Sequence, residues 1–249
     1  MSKRRTQDID DLLADWPFEP DEVLARLVIT GDGREVIQMR VDMGLLQMEV
    51  EGRPDGTRFQ GQPTYFDHLK ELAREEADEF ELSREQCAEA DREFVQFYHR
   101  RICWLSLRKF TEAARDADHT LAFMDFVKQH STDEEWTVSH EQYRPFVLFH
   151  RVQAAALAKL EADGAEAAIA EISRGLDTFR AVFAEYDAEE KFDDDELVRR
   201  LSELQQSLRE HYHVGRTLNE RLAEAVATEQ YELAAQLRDE IAKRGGYRR

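Results

Sequence analysis

The sequence predicts an α+β protein that is predominantly helical, with a small three-stranded antiparallel β-meander packed beside a bundle of helical hairpins. Three observations support this fold class. Apolar and polar residues alternate in short runs between residues 23 and 50, as in half-buried strands. A helix–turn–helix pattern recurs at an offset of 55 residues in the middle of the chain. The C-terminal region carries a further helical hairpin.

The β region follows a short charged segment. We expect residues 1–15 to be flexible because they are rich in charge. The two prolines of Trp16–Pro20 prevent a helix from continuing there. The first folded region therefore spans residues 16–62, as a meander and the loop after it. The predicted strands are residues 23–30, 35–42 and 45–50.

The second predicted strand has two chemically different faces. Ile37, Met39 and Val41 alternate with polar residues along it. We expect these three side chains to face a core, and Gln38, Arg40 and Asp42 to face water. A meander of this size is not stable alone, so it needs a helix to lie against.

A loop with candidate binding residues follows the strands. Residues 52–63, GRPDGTRFQGQP, contain three glycines and two prolines, which predicts a loop or linker. Arg53 and Arg58 lie in this loop and have the charge to bind an anion. The simpler interpretation is an ordinary linker with solvated arginines.

Residues 63–212 are predicted to form a helical bundle. Thr64 is placed to cap its first helix. Shifting the sequence by 55 residues superposes apolar positions of two helix–turn–helix units, for example Phe97 on Val152. Residues 100–121, RRICWLSLRKFTEAARDADHTL, resemble a tetratricopeptide repeat, although repeats of that family are about 34 residues long. The resemblance implies a concave surface for a peptide or protein, and a plain bundle without a groove is the alternative.

The charge balance is strongly acidic. The chain has 53 acidic and 34 basic residues, a formal net charge of −19, which repels phosphate backbones and anionic membranes. We therefore expect no direct binding to nucleic acid or to a membrane. Residues 216–249 carry seven basic and six acidic residues, so this near-neutral part is least repelled by an acidic partner. One aspartate of Asp193–Asp195 is expected to cap the next helix, and a cation site is the alternative.

The spacing of the two cysteines and the lack of long apolar runs indicate the cellular compartment. Cys87 and Cys103 are sixteen residues apart in one predicted helix, about 24 Å at 1.5 Å per residue, which is too far for a disulfide. No apolar segment typical of a signal peptide follows the first residues, and no run of about 18 apolar residues occurs. These features predict a soluble cytoplasmic protein.

The C-terminal segment 215–245 is predicted to be a helical hairpin. Leu218, Leu222 and Val226 recur at helical spacing, and after a pause the pattern resumes from Tyr231. On the second helix the apolar residues spread over an arc of about 200°, whereas one packing partner needs a stripe of about 100°. The remaining arc must be covered by the rest of the chain or by another chain, because two short helices form too small a core.

Residues of this hairpin carry a family resemblance. The second helix contains Tyr231-Glu232, Ala234-Ala235 and the run Leu237–Ile241, LRDEI, and this pattern resembles the UVR motif. UVR motifs occur in the excinuclease subunits UvrB and UvrC, in Clp-type protease ATPases and in McsA-type kinase activators, where they pair with another helical hairpin. The resemblance implies a non-catalytic adaptor in which Arg238 pairs with a partner carboxylate. The residues predicted to contact the partner are Leu218, Leu222, Val226, Tyr231, Ala234, Ala235, Leu237, Arg238 and Ile241.

The resemblance also implies classes of partner. The first is another protein with a UVR-like hairpin, such as an excinuclease subunit or a Clp-type ATPase. The protein would then be an accessory factor of nucleotide excision repair or of a Clp-type protease. A second possibility, which does not rest on the resemblance, is another copy of this chain in a homodimer formed by four-helix packing. Together with Trp16–Pro20 and the meander, the hairpin resembles a group of bacterial UVR-motif proteins, a resemblance that implies no reaction.

Sequence patterns typical of enzymes are missing. The chain has no phosphate-binding P-loop, no dinucleotide fingerprint, no nucleophile elbow and no His-Glu-x-x-His pattern. It also has no helicase like that of UvrB, no nuclease like that of UvrC and no Cys-x-x-Cys pair like those of McsA-type proteins. We predict no catalytic, cofactor-binding or metal-binding residue. The alternative is an enzyme with an unrecognised site between the sheet and the helices, for which Arg53, Arg58 and His68 are the first suspects.

Overall fold

A computed structural model describes residues 9–76 and 80–246, and it confirms a predominantly helical α+β fold. The chain divides into two compact units, Met1–Arg151 and Val152–Arg249. The strands are β1 (Ala25–Ile29), β2 (Glu35–Val41) and β3 (Gly44–Glu49). The helices are α1 (Asp10–Ala14), α2 (Tyr65–Glu76), α3 (Arg84–Ser106), α4 (Phe110–His130), α5 (Glu134–Glu141), α6 (Arg144–Asp163), α7 (Ala165–Glu185), α8 (Glu196–Tyr212), α9 (Leu218–Ala227) and α10 (Tyr231–Gly246).

The N-terminal segment is described only in part. Residues 1–8 of the predicted flexible stretch lie outside the described residues. Residues 10–14 form α1, a five-residue helix without a buried side chain. Within the described residues, none of the helices combines the length and the apolar character needed to cross a membrane.

The three strands form the predicted antiparallel meander in the order β1-β2-β3. Ala25 of β1 pairs with Met39 of β2, and Val36 of β2 pairs with Glu49 of β3. Gly33 closes the first turn with φ +88°, a backbone conformation that favours glycine. The alternation of residue types therefore predicted both the strands and their connection.

The prediction that Gln38 and Arg40 face water is wrong. These side chains are only 8% and 7% exposed, because β2 is the central strand and both of its faces are covered. The Arg26 guanidinium donates to Gln38 Oε1 at 2.8 Å. Arg40 donates from Nε to the Trp16 carbonyl at 2.8 Å and from Nη1 to the Gly44 carbonyl at 2.9 Å. The segment before β1 thus covers the face that the alternation assigned to water, and hydrogen bonds satisfy the buried polar groups.

The sheet lies against α3, as the size of the meander required. The α3 helix packs on β1 and β2 and also on α4. The Ser106 hydroxyl at the end of α3 donates to the Val23 carbonyl at 2.6 Å. The core between α2, α3 and α4 is rich in aromatic residues, with Phe66 and Phe94 both stacked on Phe123.

Two helix caps predicted from sequence are confirmed. The Thr64 hydroxyl accepts a hydrogen bond from the Asp67 backbone N–H at 3.0 Å at the start of α2. The Asp195 carboxylate accepts from the backbone N–H groups of Leu197 and Val198 at 2.9 and 3.0 Å at the start of α8. An aspartate at this position satisfies otherwise unpaired N–H groups and also favours the positive end of the helix dipole.

The internal repeat corresponds to two helix–turn–helix units. Phe110 begins α4 and Ala165 begins α7, and these positions are 55 residues apart, the offset seen in the sequence. Within the unit Val152–Arg249, α7 packs on α8, where the Gln205 side-chain amide donates to the Ile169 carbonyl at 3.2 Å. The likeness to tetratricopeptide repeats stays a prediction.

The two cysteines should differ sharply in reactivity. Both are free and both lie on α3; Cys103 is completely buried, whereas Cys87 is partly exposed. Burial raises the pKa of the Cys103 thiol to about 12, so almost none of it is thiolate at neutral pH. We expect iodoacetamide to leave Cys103 unmodified in the folded protein and to alkylate both cysteines in urea. Peptide mass spectrometry distinguishes the two sites, and rapid alkylation of native Cys103 would contradict its placement.

Candidate functional site

The α9–α10 hairpin begins with a reciprocal cap. The Thr217 hydroxyl accepts from the Glu220 backbone N–H at 3.3 Å, and the Glu220 carboxylate accepts from the Thr217 N–H at 2.8 Å. This capping box satisfies two N–H groups that the first turn of a helix leaves without partners. The start of α9 is therefore fixed by sequence, at a Thr followed three positions later by a Glu.

The turn between the helices explains why the apolar pattern pauses. The Gln230 N–H donates to the Ala225 carbonyl at 2.7 Å, and the Glu229 N–H donates to the Val226 carbonyl at 3.1 Å. These two bonds form a Schellman motif, which requires a left-handed residue after the helix. Glu229 takes that position with φ +57°, although glycine is the usual residue there. The tight turn returns α10 along α9.

The two helices bury a small interface between them. Ala225, Ala234 and Leu237 are 2%, 8% and 2% exposed, and Leu218 and Leu222 pack against them. On α9 the residues of this interface follow helical spacing from Leu218 to Ala225. Each helix contributes one alanine to this interface, Ala225 and Ala234, and the other side chains in it are leucines. The interface is small for an independent fold, since short helices depend on tertiary packing for stability.

A second set of side chains lies on the outside of the hairpin. Val226 is 54% exposed and Tyr231 is 68% exposed, and Ala235 and Arg238 are also exposed. Tyr231, Ala235 and Arg238 are spaced i, i+4 and i+7, so they share one face of α10. Leu233, which belongs to the apolar arc but was not among the predicted contact residues, is 38% exposed. We call Val226, Tyr231, Ala235 and Arg238 the outer face.

The nine residues predicted to contact a partner therefore occupy different places. Within the arc of about 200° on α10, Ala234 and Leu237 face α9 whereas Tyr231 and Ala235 are exposed, and the apolar pattern alone did not separate these two sets. Which residues contact a partner stays a prediction. Leu218, Leu222, Ala234 and Leu237 lie in the inner interface, Val226, Tyr231, Ala235 and Arg238 form the outer face, and Ile241 is half-buried.

Ion pairs hold the start of the hairpin and leave its outer face accessible. Arg209 near the end of α8 pairs with Glu220 and donates to the Gly215 carbonyl at 2.7 Å. Arg216 pairs with Glu224, and this hydrogen bond lowers the pKa of the Glu224 carboxyl and raises that of the Arg216 guanidinium. By contrast, the Arg238 side chain is 73% exposed, with Nε 3.7 Å from the neighbouring Asp239 carboxylate. Arg238 is thus accessible to an acidic group of a partner.

In a comparison with protein families, residues 216–243 match the family described as the UvrB/uvrC motif. This segment is a UVR motif. The match runs from just before the Thr217 cap into the C-terminal part of α10, so it covers the hairpin and a small share of the chain. Comparisons of the whole chain with curated proteins and with solved structures gave no match. Residues 216–243 are called the UVR hairpin below.

Arg53 in the loop 52–63 is neither available to bind an anion nor solvated, so it matches neither interpretation of the sequence. Arg53 is 1% exposed, so the expectation of a solvated arginine is wrong. Its guanidinium lies 2.6 Å from the Glu89 carboxylate, 3.5 Å from Glu93 and above the Phe59 ring. A buried charge is tolerated only when it is paired, and Arg53 obtains this pairing from α3. It therefore anchors the loop to the helix.

The other two suspects for a catalytic site, Arg58 and His68, do not line the same depression. Arg58 is exposed and lines a shallow surface depression together with Arg53. His68 does not line it; its ring stacks on Phe59 with centroids 6.1 Å apart and also contacts Tyr65. In the parts of the chain that the structure describes, no group of three His, Cys, Asp or Glu side chains is arranged to hold a metal ion.

The sequence analysis missed a buried polar cluster on α3. Glu93 is completely buried and accepts hydrogen bonds from the backbone N–H groups of Tyr65 and Phe66 at 2.7 and 3.1 Å. The Arg53 guanidinium also lies beside the Glu93 carboxylate, and the His119 imidazole approaches it with Nε2 3.0 Å from Glu93 Oε1. Glu93 thus covers the positive end of α2. The available signal was its position three residues after Ala90, on the stripe of α3 that faces the core.

Proposed function

We propose that the protein is a non-catalytic adaptor that docks a partner protein through the outer face of the UVR hairpin. The observation that carries this proposal is the exposure of Tyr231 and Val226 in a segment that matches an interaction motif. The interface between α9 and α10, formed by Leu218, Leu222, Ala225, Ala234 and Leu237, already holds the two helices together. The outer face is therefore free for a second set of contacts.

The docking mode that fits this geometry is helix-on-helix packing. Tyr231, Ala235 and Arg238 form a row along one side of α10, with an aromatic ring, a small residue and a cation in that order. Tyrosine and arginine are enriched among the residues that contribute most to protein–protein affinity. The methyl side chain of Ala235 lets a partner backbone come close. An acidic side chain on the partner would pair with Arg238.

The partner class that fits best is a protein with its own helical hairpin. Two hairpins can bury their outer faces against each other in a four-helix arrangement. Residues 216–249 carry nearly equal numbers of basic and acidic residues, so they repel an acidic partner less than the acidic remainder of the chain does. An excinuclease subunit or a Clp-type ATPase would be such a partner. The first would make the adaptor part of DNA repair, and the second would make it part of proteolysis. A second copy of this chain is the other candidate.

The test is an affinity purification from the native organism with a double variant, Val226→Ser plus Tyr231→Ala. Both side chains are largely exposed, so their loss should leave the hairpin folded. We expect the partner to be depleted by roughly tenfold or more, as hot-spot residues contribute about 2 kcal/mol or more each. Quantitative mass spectrometry measures the depletion, and light scattering of the purified protein tests for a homodimer.

The matched control replaces the same residue types elsewhere. Val138 and Tyr186 are 65% and 52% exposed and lie outside the UVR hairpin. The variant Val138→Ser plus Tyr186→Ala should retain every partner. Equal recovery of the partner with both double variants would show that the outer face is not the contact.

A further inference from the structure

The unit Met1–Arg151 contains a cavity that is separate from the UVR hairpin. It lies among α3, α4, α5 and the first turns of α6 and has a volume of about 820 Å³. Pockets for small molecules in proteins typically measure about 300–1,000 Å³. The cavity is therefore of the right size for a small organic molecule.

Six of the residues that line this cavity have aromatic rings. The rings that line it are those of Phe94, Tyr98, Trp136, His140, Tyr143 and Phe146. Aromatic walls favour an apolar ligand, and especially a ring that can stack or pack edge to face.

A polar contact holds the α5 side of the cavity in place. Asp91 on α3 accepts hydrogen bonds at Oδ1 from the Trp136 indole N–H at 2.9 Å and from His140 Nε2 at 2.8 Å. Both donors are on α5, which has no buried residue of its own. Asp91 therefore fixes two rings of the wall.

One wall residue is a buried cation. Arg101 on α3 is 2% exposed and lines the cavity. Its guanidinium donates from Nη1 to the Thr120 hydroxyl at 3.1 Å and from Nε to His150 Nδ1 at 3.3 Å. Neither acceptor is a carboxylate, so neither brings a negative charge to the guanidinium. Nη2 makes no hydrogen bond to any residue in the ranges 9–76 and 80–246.

No carboxylate compensates this charge within the described residues at ion-pair distance. The Asp116 carboxylate, which acts on Arg101 from farther away, is bound on both oxygens by Arg100. Burial consequently lowers the pKa of Arg101 to about 10. Buried charges in proteins are normally paired, so an unpaired guanidinium beside an aromatic cavity is an unusual combination.

We propose that this cavity binds a small organic carboxylate with an aromatic body, whose carboxylate pairs with Arg101 and whose ring packs among Phe94, Trp136 and Phe146. Arginine has a planar fork of donors that matches a carboxylate. The ligand would supply the acceptor that Nη2 lacks. This binding function is independent of the UVR hairpin.

The charges around the cavity select a monoanion. Arg101 is the cation among the lining residues, and Asp91 is a half-exposed anion on the same wall. A phosphate dianion would leave one charge unpaired and face Asp91. An ammonium ligand would approach Asp91 but leave Arg101 unpaired. A carboxylate matches both groups best, because it neutralises the buried charge and adds no excess.

The test is calorimetric titration of the full-length protein with benzoate, phenylbutyrate and naphthylacetate, and with phenylbutanamide and phenylbutylamine. At least one of the three acids should bind with a Kd below roughly 1 mM. Phenylbutyrate should bind roughly tenfold more tightly than its amide, which has the same shape without the charge. The proposal is overturned if no acid binds below roughly 10 mM, or if the amide or the amine binds as tightly as the acid.

Two variants locate the site. Arg101→Met should remove the preference for the acid over the amide. Val95 lines the cavity and is 53% exposed, so Val95→Trp should obstruct the cavity, abolish binding and leave the fold intact. Val138 is 65% exposed and does not line the cavity, and Val138→Trp is the matched control that should bind normally. Unchanged binding to Val95→Trp would show that the acid binds elsewhere and would overturn the assignment.

Discussion

Replacing Arg100 by methionine is expected to destabilise the protein by roughly 3–5 kcal/mol. The Arg100 and Asp116 side chains are 2% and 1% exposed and form a two-pronged ion pair, with N–O distances of 2.7 and 2.8 Å. Methionine has a similar length, but it leaves the Asp116 carboxylate buried without its main partner. An uncompensated buried charge is among the most destabilising consequences of a single substitution.

Arg100 also joins the helices to the sheet. Its Nη1 donates to the carbonyls of Glu49 and Gly52, at 3.0 and 2.8 Å, at the end of β3 and in the loop after it. The substitution would leave these carbonyls without that donor as well. Because α3, α4 and the β3 loop all lose a contact, the effect should appear as unfolding of the whole unit Met1–Arg151.

The measurement is urea unfolding followed by tryptophan fluorescence. All three tryptophans, Trp16, Trp104 and Trp136, lie in the unit Met1–Arg151, so the signal reports the unit that contains the ion pair. The surface control is Arg74→Met, which removes an arginine that is 71% exposed and paired with Glu71. The control should change stability by less than about 0.5 kcal/mol.

A double variant separates the charge effect from the loss of packing. Arg100→Met combined with Asp116→Leu removes both charges, so it should be less destabilised than the single variant. Recovery should be incomplete, because the carbonyls of Glu49 and Gly52 still lack a donor. A loss below roughly 1 kcal/mol in Arg100→Met would contradict the structural role of the pair.

The regular elements of this fold could be predicted because their signals are local. The strands follow from alternation over a few residues, and the caps at Thr64 and Asp195 follow from side chains that reach the next turn. The UVR hairpin is also an element whose sequence signals are local. Its start is set by Thr217 and Glu220, which are three positions apart.

Buried charged residues could not be predicted in the same way, because their partners are distant in sequence. Arg53 pairs with Glu89 on α3, and Arg100 pairs with Asp116 on α4. Residue type alone places arginine and aspartate in water, since these residues are almost never buried unless paired. Burial depended on the packing of α3 against α4 and the loop.

The candidate site was predicted only in part for a related reason. The apolar arc on α10 indicated correctly that more than one surface is apolar, but the pattern did not show which side faces α9. The direction is set by the turn at Glu229, whose left-handed conformation fixes the return angle of α10. The residues predicted to contact a partner therefore included Leu237, which is buried inside the hairpin, and left out Leu233, which belongs to the arc and is partly exposed.

Adding one methyl group at Gly175 is expected to destabilise the unit Val152–Arg249 by roughly 2–3 kcal/mol. Gly175 is buried in α7 against Val152 of α6. A Cβ at this position would lie 2.3 and 2.5 Å from the two Val152 methyl carbons and 3.0 Å from the Val152 Cβ. Rotating the valine side chain cannot relieve the contact with its Cβ, so the helices must move apart. Alanine improves helix propensity by about 1 kcal/mol, but this gain is smaller than the cost of separating packed helices.

Thermal unfolding followed by far-UV circular dichroism measures the loss, and hydrogen exchange of peptides from α6 and α7 locates it. The suppressor is Val152→Ala, which removes both methyl groups and should make Gly175→Ala much less harmful in the double variant, with a coupling of roughly 1 kcal/mol or more. The glycine control is Gly44→Ala, because Gly44 has no atom within 4 Å of the added Cβ and no positive φ. If Gly175→Ala is as stable as the parent protein, α6 and α7 do not approach each other as closely at Val152 as the structure shows.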